Sequence, residues 1–362
     1  MKDNLMPRMY AVWLFVWLFV WVFAGSASWP VYAKLQNSRP AVPDTMNQAR
    51  ELDLSSYQTR EGLLITFKNG DAADPYFGLY SLELAGRAGM DIRHTAREFI
   101  RWGILNQGSD GRFGRYCKQN TRWVYCGRAD SDDATLARWL QLLVNMSGDK
   151  ALPPVWQSSF DRALKALMSL RMSNGVYSVF PHDTPGYAGY ALFKDNVEVL
   201  NALERLAQYF HAVGDLVQAR RFEADARALR RAIGKYFGRN IFALKRLALN
   251  ARYDKPLFYP HAVAIPFAWM EGYGPRPTRT DAARWLKKYD AEWRAMADRD
   301  YPWGLMALAL MDAGDYSRAQ RWLNDNEHWR QKGEHWNILE ETSARIIRYR
   351  LMQEQQKEGT RQ

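Results

Sequence analysis

DATLARWLQLLVNM, residues 133 to 146, is the stretch that decides the fold. Its apolar side chains fall on nearly every side of a helix, and a helix that is apolar all round is buried. DLVQARRFEADARALRRAI, residues 215 to 233, reads differently. Leu216, Ala219, Phe222, Ala226, Leu229 and Ile233 recur at spacings of three and four and leave a charged face for solvent. GLMALALMDAG is a second helix of the buried kind, and TRTDAARWLKKYDAEWRAM a second amphipathic one. Buried and amphipathic helices alternate along the chain, which is the pattern of an inner and an outer ring. The expected class is all-α, an (α/α)6 toroid of helical hairpins with a small disulfide-closed β-hairpin.

The periodicity predicts helices over 76–88, 93–107, 132–147, 156–172, 195–212, 216–236, 259–272, 280–297, 303–313, 316–325 and 337–354, with a further one near 45–54. Strand-like runs lie at 112–126, 175–180 and 241–249, the last of which reads equally as helix. A competing architecture is an open solenoid. HAVGDLVQARRFEADARAL and MDAGDYSRAQRWLNDN resemble tetratricopeptide hairpins, but no third copy stands in register at the period of about 34 residues such repeats keep.

The chain has 362 residues, 47% of them hydrophobic and 25% charged, a globular composition. Residues 11–24, AVWLFVWLFVWVFA, contain no polar side chain and follow Lys2 and Arg8. That run is short for a membrane span and suits a signal-peptide core, with cleavage after Ala27 or after Ala33. Left uncleaved, the same segment would anchor the chain to a membrane. The expected organisation is a signal peptide or anchor over 1–33, a linker over 34–56, the toroid over 57–355 and a disordered tail over 356–362. The net charge of +11 falls only to +10 without the first 33 residues, because Lys2 and Arg8 offset Asp3. Export argues against nucleic acid as partner, so the basic balance points to a solvated helix surface, an anionic membrane or an anionic ligand.

Export also gives meaning to the two cysteines, Cys117 and Cys126, since paired thiols oxidise outside the cytosol. They stand in RFGRYC and TRWVYC, separated by KQN, which reads as a hairpin. A cross-strand bridge there closes a loop of roughly ten residues, so its effect is local shape more than global stability. Two cysteines without a nearby histidine make a poor zinc set, and neither metal nor cofactor is expected.

The hairpin runs into RADSDDATLARWLQLL, the densest acidic stretch, with Asp130, Asp132 and Asp133. Buried helices entered through aromatic loops resemble the six-hairpin glycosidase superfamily, and this segment is similar to the one in family-eight endoglucanases where a D-x-D pair opens a buried helix. The resemblance implies glycoside hydrolysis by two carboxyl groups, about 5 to 5.5 Å apart for retention or about 6.5 to 9.5 Å for inversion. Neighbours on one turn cannot straddle a sugar. One of Asp132 and Asp133 is the candidate catalyst, with Glu340 as its partner from another loop, while Asp130 binds sugar or caps the helix. The competing reading is that the whole turn serves as a helix cap, its carboxylates favouring the positive helix end.

Partners are sought at the starts of other inner helices. FKDNVEVL supplies Asp195, read also as a cap, and Glu198. EHWNILEETSARII supplies Glu340 beside Glu341, read also as a solvated pair. His182 and His261 lie in proline-containing loops, His261 being equally a core residue. Trp123, Tyr125, Tyr187, Tyr190, Tyr259 and Trp303 are candidate sugar platforms. The expected partner is a carbohydrate, neutral or anionic. Nucleotide, hydrolase-elbow and zincin motifs are absent from the sequence. A polysaccharide lyase and a non-catalytic glycan-binding scaffold are the alternatives.

Overall fold

The computed structural model describes residues 50–185, 189–238 and 262–359. Eleven α-helices are present among them: α1 (Pro75–Arg87), α2 (Arg93–Asn106), α3 (Asp132–Ser147), α4 (Pro154–Ser169), α5 (Phe193–Ala212), α6 (Leu216–Tyr236), α7 (Ala264–Met270), α8 (Arg279–Met296), α9 (Gly304–Asp312), α10 (Tyr316–Lys332) and α11 (Ile338–Gly359). The odd-numbered helices pack on one another in sequence: α1 on α3, α3 on α5, α5 on α7, α7 on α9 and α9 on α11. The last of them, α11, packs back on α1. An open stack of hairpins lacks that final pairing. Outer helices lean on these: α6 on α5, α4 on α3 and α10 on α9.

The layering follows from composition. Every residue of α3 from Asp132 to Val144 is buried, as is every residue of α9 from Gly304 to Met311. The amphipathic α6 buries Ala219, Phe222, Ala226, Leu229 and Ile233 as its spacing demands. Leu216 departs from that pattern and is exposed at the first position of the helix. The Gly-Asp pairs that resembled solenoid repeats are turn chemistry. Gly214 and Gly314 adopt positive φ, and Asp215 and Asp315 accept the amides of Gln218 and Arg318 as helix caps.

Strands β1 (Ala72–Ala73), β2 (Gly114–Gln119) and β3 (Arg122–Arg128) form one antiparallel sheet in that order. Cys117 and Cys126 are joined, with Cα atoms 5.6 Å apart. The register shifts between Arg115 and Tyr116, which face Gly127 and Tyr125, so Cys126 is the extra residue of a bulge. The strand expected over 175–180 does not form. Asn196 instead takes both backbone groups of Tyr177, and only the isolated bridge Arg171–Tyr177 remains. Helix α10 runs on to Lys332, past the expected end at 325. In the stretch read as linker, Leu52 and Leu54 are buried. The signal segment and the 241–249 run lie outside the described residues.

Candidate active site

Asp74 ends β1 and opens α1. Its carboxylate accepts the Tyr76 amide at 3.1 Å as a helix cap, the Asp130 amide at 2.8 Å and Arg115 at 3.2 Å. One buried side chain thereby ties the start of α1, strand β2 and the turn before α3 together. The sequence reading overlooked it, although Asp-Pro before an apolar run is a recognisable helix start.

The expectation that Asp130 or Ser131 caps α3 is not met. Ser131 occupies the cap position, but its hydroxyl makes no capping bond. Asp130 is exposed, its backbone drawn to Asp74. Asp132 is buried, lies 3.2 Å from Arg112 and donates its amide to the Val179 carbonyl. Burial pushes its carboxyl up to about 6, against the pull of Arg112 and Arg128. Asp133 is wholly buried. Its Oδ1 accepts the Ala134 amide and its Oδ2 has no partner.

Asp195, read also as a cap, is not one: Leu192 stands at the cap of α5, without a side-chain capping bond. Asp195 faces Asp133 from the first turn of the adjacent inner helix. Burial pushes the Asp195 carboxyl up to about 7, Lys194 opposes this, and the charges of Glu198 and Asp130 add to it. Burial likewise raises Asp133 well above the carboxylate range, reinforced by the charge of Asp195. As carboxylates the two possess no donor, and the Oδ2 atoms of both stay unsatisfied. With a proton on one, the pair closes through a hydrogen bond.

Beneath the pair lies an ionic cluster. Glu198 accepts from Arg138 at 2.6 Å, Tyr76 at 2.7 Å and Lys194 at 3.1 Å. Arg138 also binds Glu83 and Glu271, and its guanidinium lies 3.5 Å over the Tyr80 ring. Glu271 is clamped by Arg87 at both oxygens and by Asn201. Five carboxyls, those of Asp133, Asp195, Glu198, Glu83 and Glu271, thus share three cations, Lys194, Arg138 and Arg87. The excess of carboxyls over cations leaves burial free to raise both members of the Asp133–Asp195 pair. Arg138, the only charge between Asp133 and the end of α3, was the sequence signal for this cluster, and it went unread.

A second corner forms where α9 meets α11. Asn337 caps α11 by accepting the Leu339 and Glu340 amides. Glu340 is buried and accepts the Gly304 amide at 2.7 Å. That approach requires glycine, because a Cβ on residue 304 would stand 2.6 Å from the Ser343 Cβ. Burial pushes the Glu340 carboxyl up to about 8, against the amides of Gly304 and Trp303. Glu341 is buried too, so the pair is not solvated. Burial also presses on Glu341, but Arg330, Arg345 and the Trp336 indole hold it below the ordinary value. Tyr301 lies beside Trp303 at this corner, with ring centroids 6.3 Å apart. Burial raises its hydroxyl first, then the charges of Asp300, Asp130 and Glu340.

The structure therefore gathers Asp130, Asp133, Asp195 and Glu198 at one corner and Glu340 with Trp303 at the other. The remaining candidates are scattered. Tyr125 is 67% exposed on the hairpin, Trp123 is half-buried against the core, and His182 is exposed. Tyr190 is half-buried, its carbonyl accepting the Val179 amide. Tyr187, Tyr259 and His261 lie outside the described residues. Among the described residues no three His, Cys, Asp or Glu groups converge as a metal site. A groove between α8 and α10, lined by Trp293, Pro302 and Trp322, contains none of these carboxyls.

No family model matches the chain, and no curated protein is similar to it in sequence. Solved structures do resemble it. An alpha-amylase from Clostridium perfringens superposes with a TM-score of 0.54 at 9% identity, covering 86% of this chain and 99% of that one. A rhamnosidase from Klebsiella oxytoca with rhamnose bound gives 0.52 at 10%, covering 85% of this chain and 64% of its own. A glycosidase variant gives 0.51 at 13%, over 84% and 95%. At such identities the likeness is one of fold alone. A link to the family-eight endoglucanases is not among these findings.

Proposed function

We propose that this chain is an exported glycoside hydrolase acting on a poly- or oligosaccharide, with its six inner helices closed into an (α/α)6 toroid. The return pairing of α11 on α1 supports the closure. The observation that carries the activity is the Asp133–Asp195 pair, two buried carboxyls on the first turns of adjacent inner helices, short of cations and both raised by burial, Asp195 to about 7. An acid of that kind suits protonation of a leaving glycosidic oxygen, since a catalytic acid works best with its pKa near the operating pH.

In this reading Asp195 donates the proton and Asp133 holds it in place. Asp130, exposed at the same corner, supplies the carboxylate opposite. Glu340, whose carboxyl burial pushes up to about 8, donates to a sugar hydroxyl. Asp132, paired with Arg112, positions the turn. The N-terminal apolar run directs export, and the disulfide holds the hairpin beside the acidic turn.

The test is to incubate the protein, and its Asp195→Asn variant, with a panel of bacterial and plant polysaccharides, following reducing ends and absorbance near 235 nm. New reducing ends without absorbance, lost in the variant, are expected. Absorbance together with reducing ends would make the protein a lyase. Neither signal, with binding retained, would make it a glycan-binding scaffold.

A further inference from the structure

Three aromatic rings adjoin the Glu340 corner. Phe67 and Tyr301 have ring centroids 6.0 Å apart, and Tyr301 and Trp303 6.3 Å apart. All three are half-buried, so each keeps part of its surface open to solvent. They come from two distant segments. A backbone bridge from Phe67 to Asn337 brings the first to the start of α11, where Glu340 lies. The loop entering α9 brings the other two.

Two residues here are held in an unfavourable shape. Trp303, in that loop, has φ of 54°, and His335, in the loop entering α11, has φ of 53°, the left-handed region that bulky residues avoid. Both are pinned to Asp300: the Trp303 indole donates to its carboxylate at 3.1 Å, and His335 Nδ1 lies 2.8 Å from its carbonyl oxygen. Strain of this sort persists only where the surroundings over-determine it, and it clusters at ligand clamps and active sites. A loop serving only to connect α8 with α9 would not need a tryptophan there.

We propose that Phe67, Tyr301 and Trp303 form a subsite that stacks on the C–H faces of a neutral sugar chain, an inference that rests on the glycosidase reading above. The polar surroundings set the charge. The Asp300 carboxylate accepts the Trp303 indole at 3.1 Å, beside the Tyr301 ring. Carboxyl oxygens accept hydrogen bonds from sugar hydroxyls and repel the carboxylate of a uronate. The subsite therefore selects neutral sugars and narrows the substrate class that composition left open.

Isothermal titration of the Asp195→Asn chain with cellohexaose, mannohexaose and a hexameric glucuronan tests this, because on the glycosidase reading that variant should bind without turnover. At least one neutral hexasaccharide should bind, more tightly than the glucuronan at low ionic strength. Phe67→Ala and Tyr301→Ala, made separately in that background, should each weaken binding roughly tenfold, the scale of one aromatic contact, without lowering the melting temperature. Binding unchanged in both variants would overturn the subsite and leave the glycosidase reading standing. Tighter binding of the glucuronan would overturn the charge assignment. No binding of any hexasaccharide, with no turnover in the polysaccharide panel, would remove both.

Discussion

Glu271 and Asp195 are both buried carboxyls within one connected cluster, yet they sit at opposite ends of the titration range. Burial raises either one. Glu271 is nevertheless held down at about 2, because Arg87 and Arg138 flank it. Asp195 is left at about 7, because Lys194, 3.9 Å away, lies closer to Glu198 at 3.1 Å, and the charges of Glu198 and Asp130 add to the burial. The contrast teaches that desolvation supplies the same upward pressure everywhere, and the local count of cations decides whether a carboxyl becomes structure or a proton store. Glu340 and Glu341 repeat the lesson one residue apart: amides alone leave the first at about 8, and Arg330 and Arg345 take the second down.

The severest way to break the comparison is to remove the shared cation. Arg138→Met leaves Glu83, Glu198 and Glu271 short of a partner in the core. Loss of one side of a buried pair typically costs about 3 to 5 kcal/mol, and here more than one pair depends on it. Urea denaturation should show a loss of at least that size, or no folded protein. A loss under about 1 kcal/mol would mean that the cluster is more hydrated than its burial implies.

The unpaired acids should behave in the opposite way. Asp133→Asn and Asp195→Asn should each lower turnover by roughly 10²- to 10⁴-fold, as loss of an acid or base does, while stability at pH 8 rises. The sign follows from linkage. Asp195 and Glu340 have folded pKa values above their ordinary 3.8 and 4.5, so the stability they permit is full below those values and is lost as pH climbs through about 7 and 8. Glu271 runs the other way: its contribution is present above 4.5 and is lost as pH falls through about 2. Wild-type stability should therefore peak on the acid side of neutrality, and urea melts between pH 4 and 9 should show the asparagine variants losing less on the alkaline side. Parallel curves for variant and wild type would place the proton elsewhere.

The smallest effect sharpens the boundary of the cluster. Asp130→Asn should change stability by no more than about 0.5 kcal/mol, because its side chain is exposed and caps nothing. Its turnover should still fall, since Asp130 is assigned the carboxylate role opposite the acid. A stability loss of about 1 kcal/mol with full activity would restore the cap reading.

Much of the fold was legible in the chain. The all-round apolarity of residues 133–146 required an inner position, and the three-and-four spacing of 219–233 required an outer one, because the period of a helix fixes which side chains share a face. Helices α3 and α6 accordingly span the limits read from the sequence. The disulfide was equally plain, since two cysteines on a short hairpin have few partners. The acidic turn and the helix that supplies Asp195 were both candidates on the sequence. Their roles were harder to read. Asp130 looked like a cap because an aspartate before a helix usually is one, and only the Asp74 carboxylate, from a segment 56 residues away, draws its backbone aside. Asp133 and Asp195 are 62 positions apart in the chain, and nothing local makes them neighbours. Sequence determines the pressure to bury each of these groups, through the apolar residues around it. Which cation arrives beside a carboxyl, and so whether that carboxyl keeps its proton, is settled only when the helices pack, because electrostatic pairing depends on distances that no periodicity encodes.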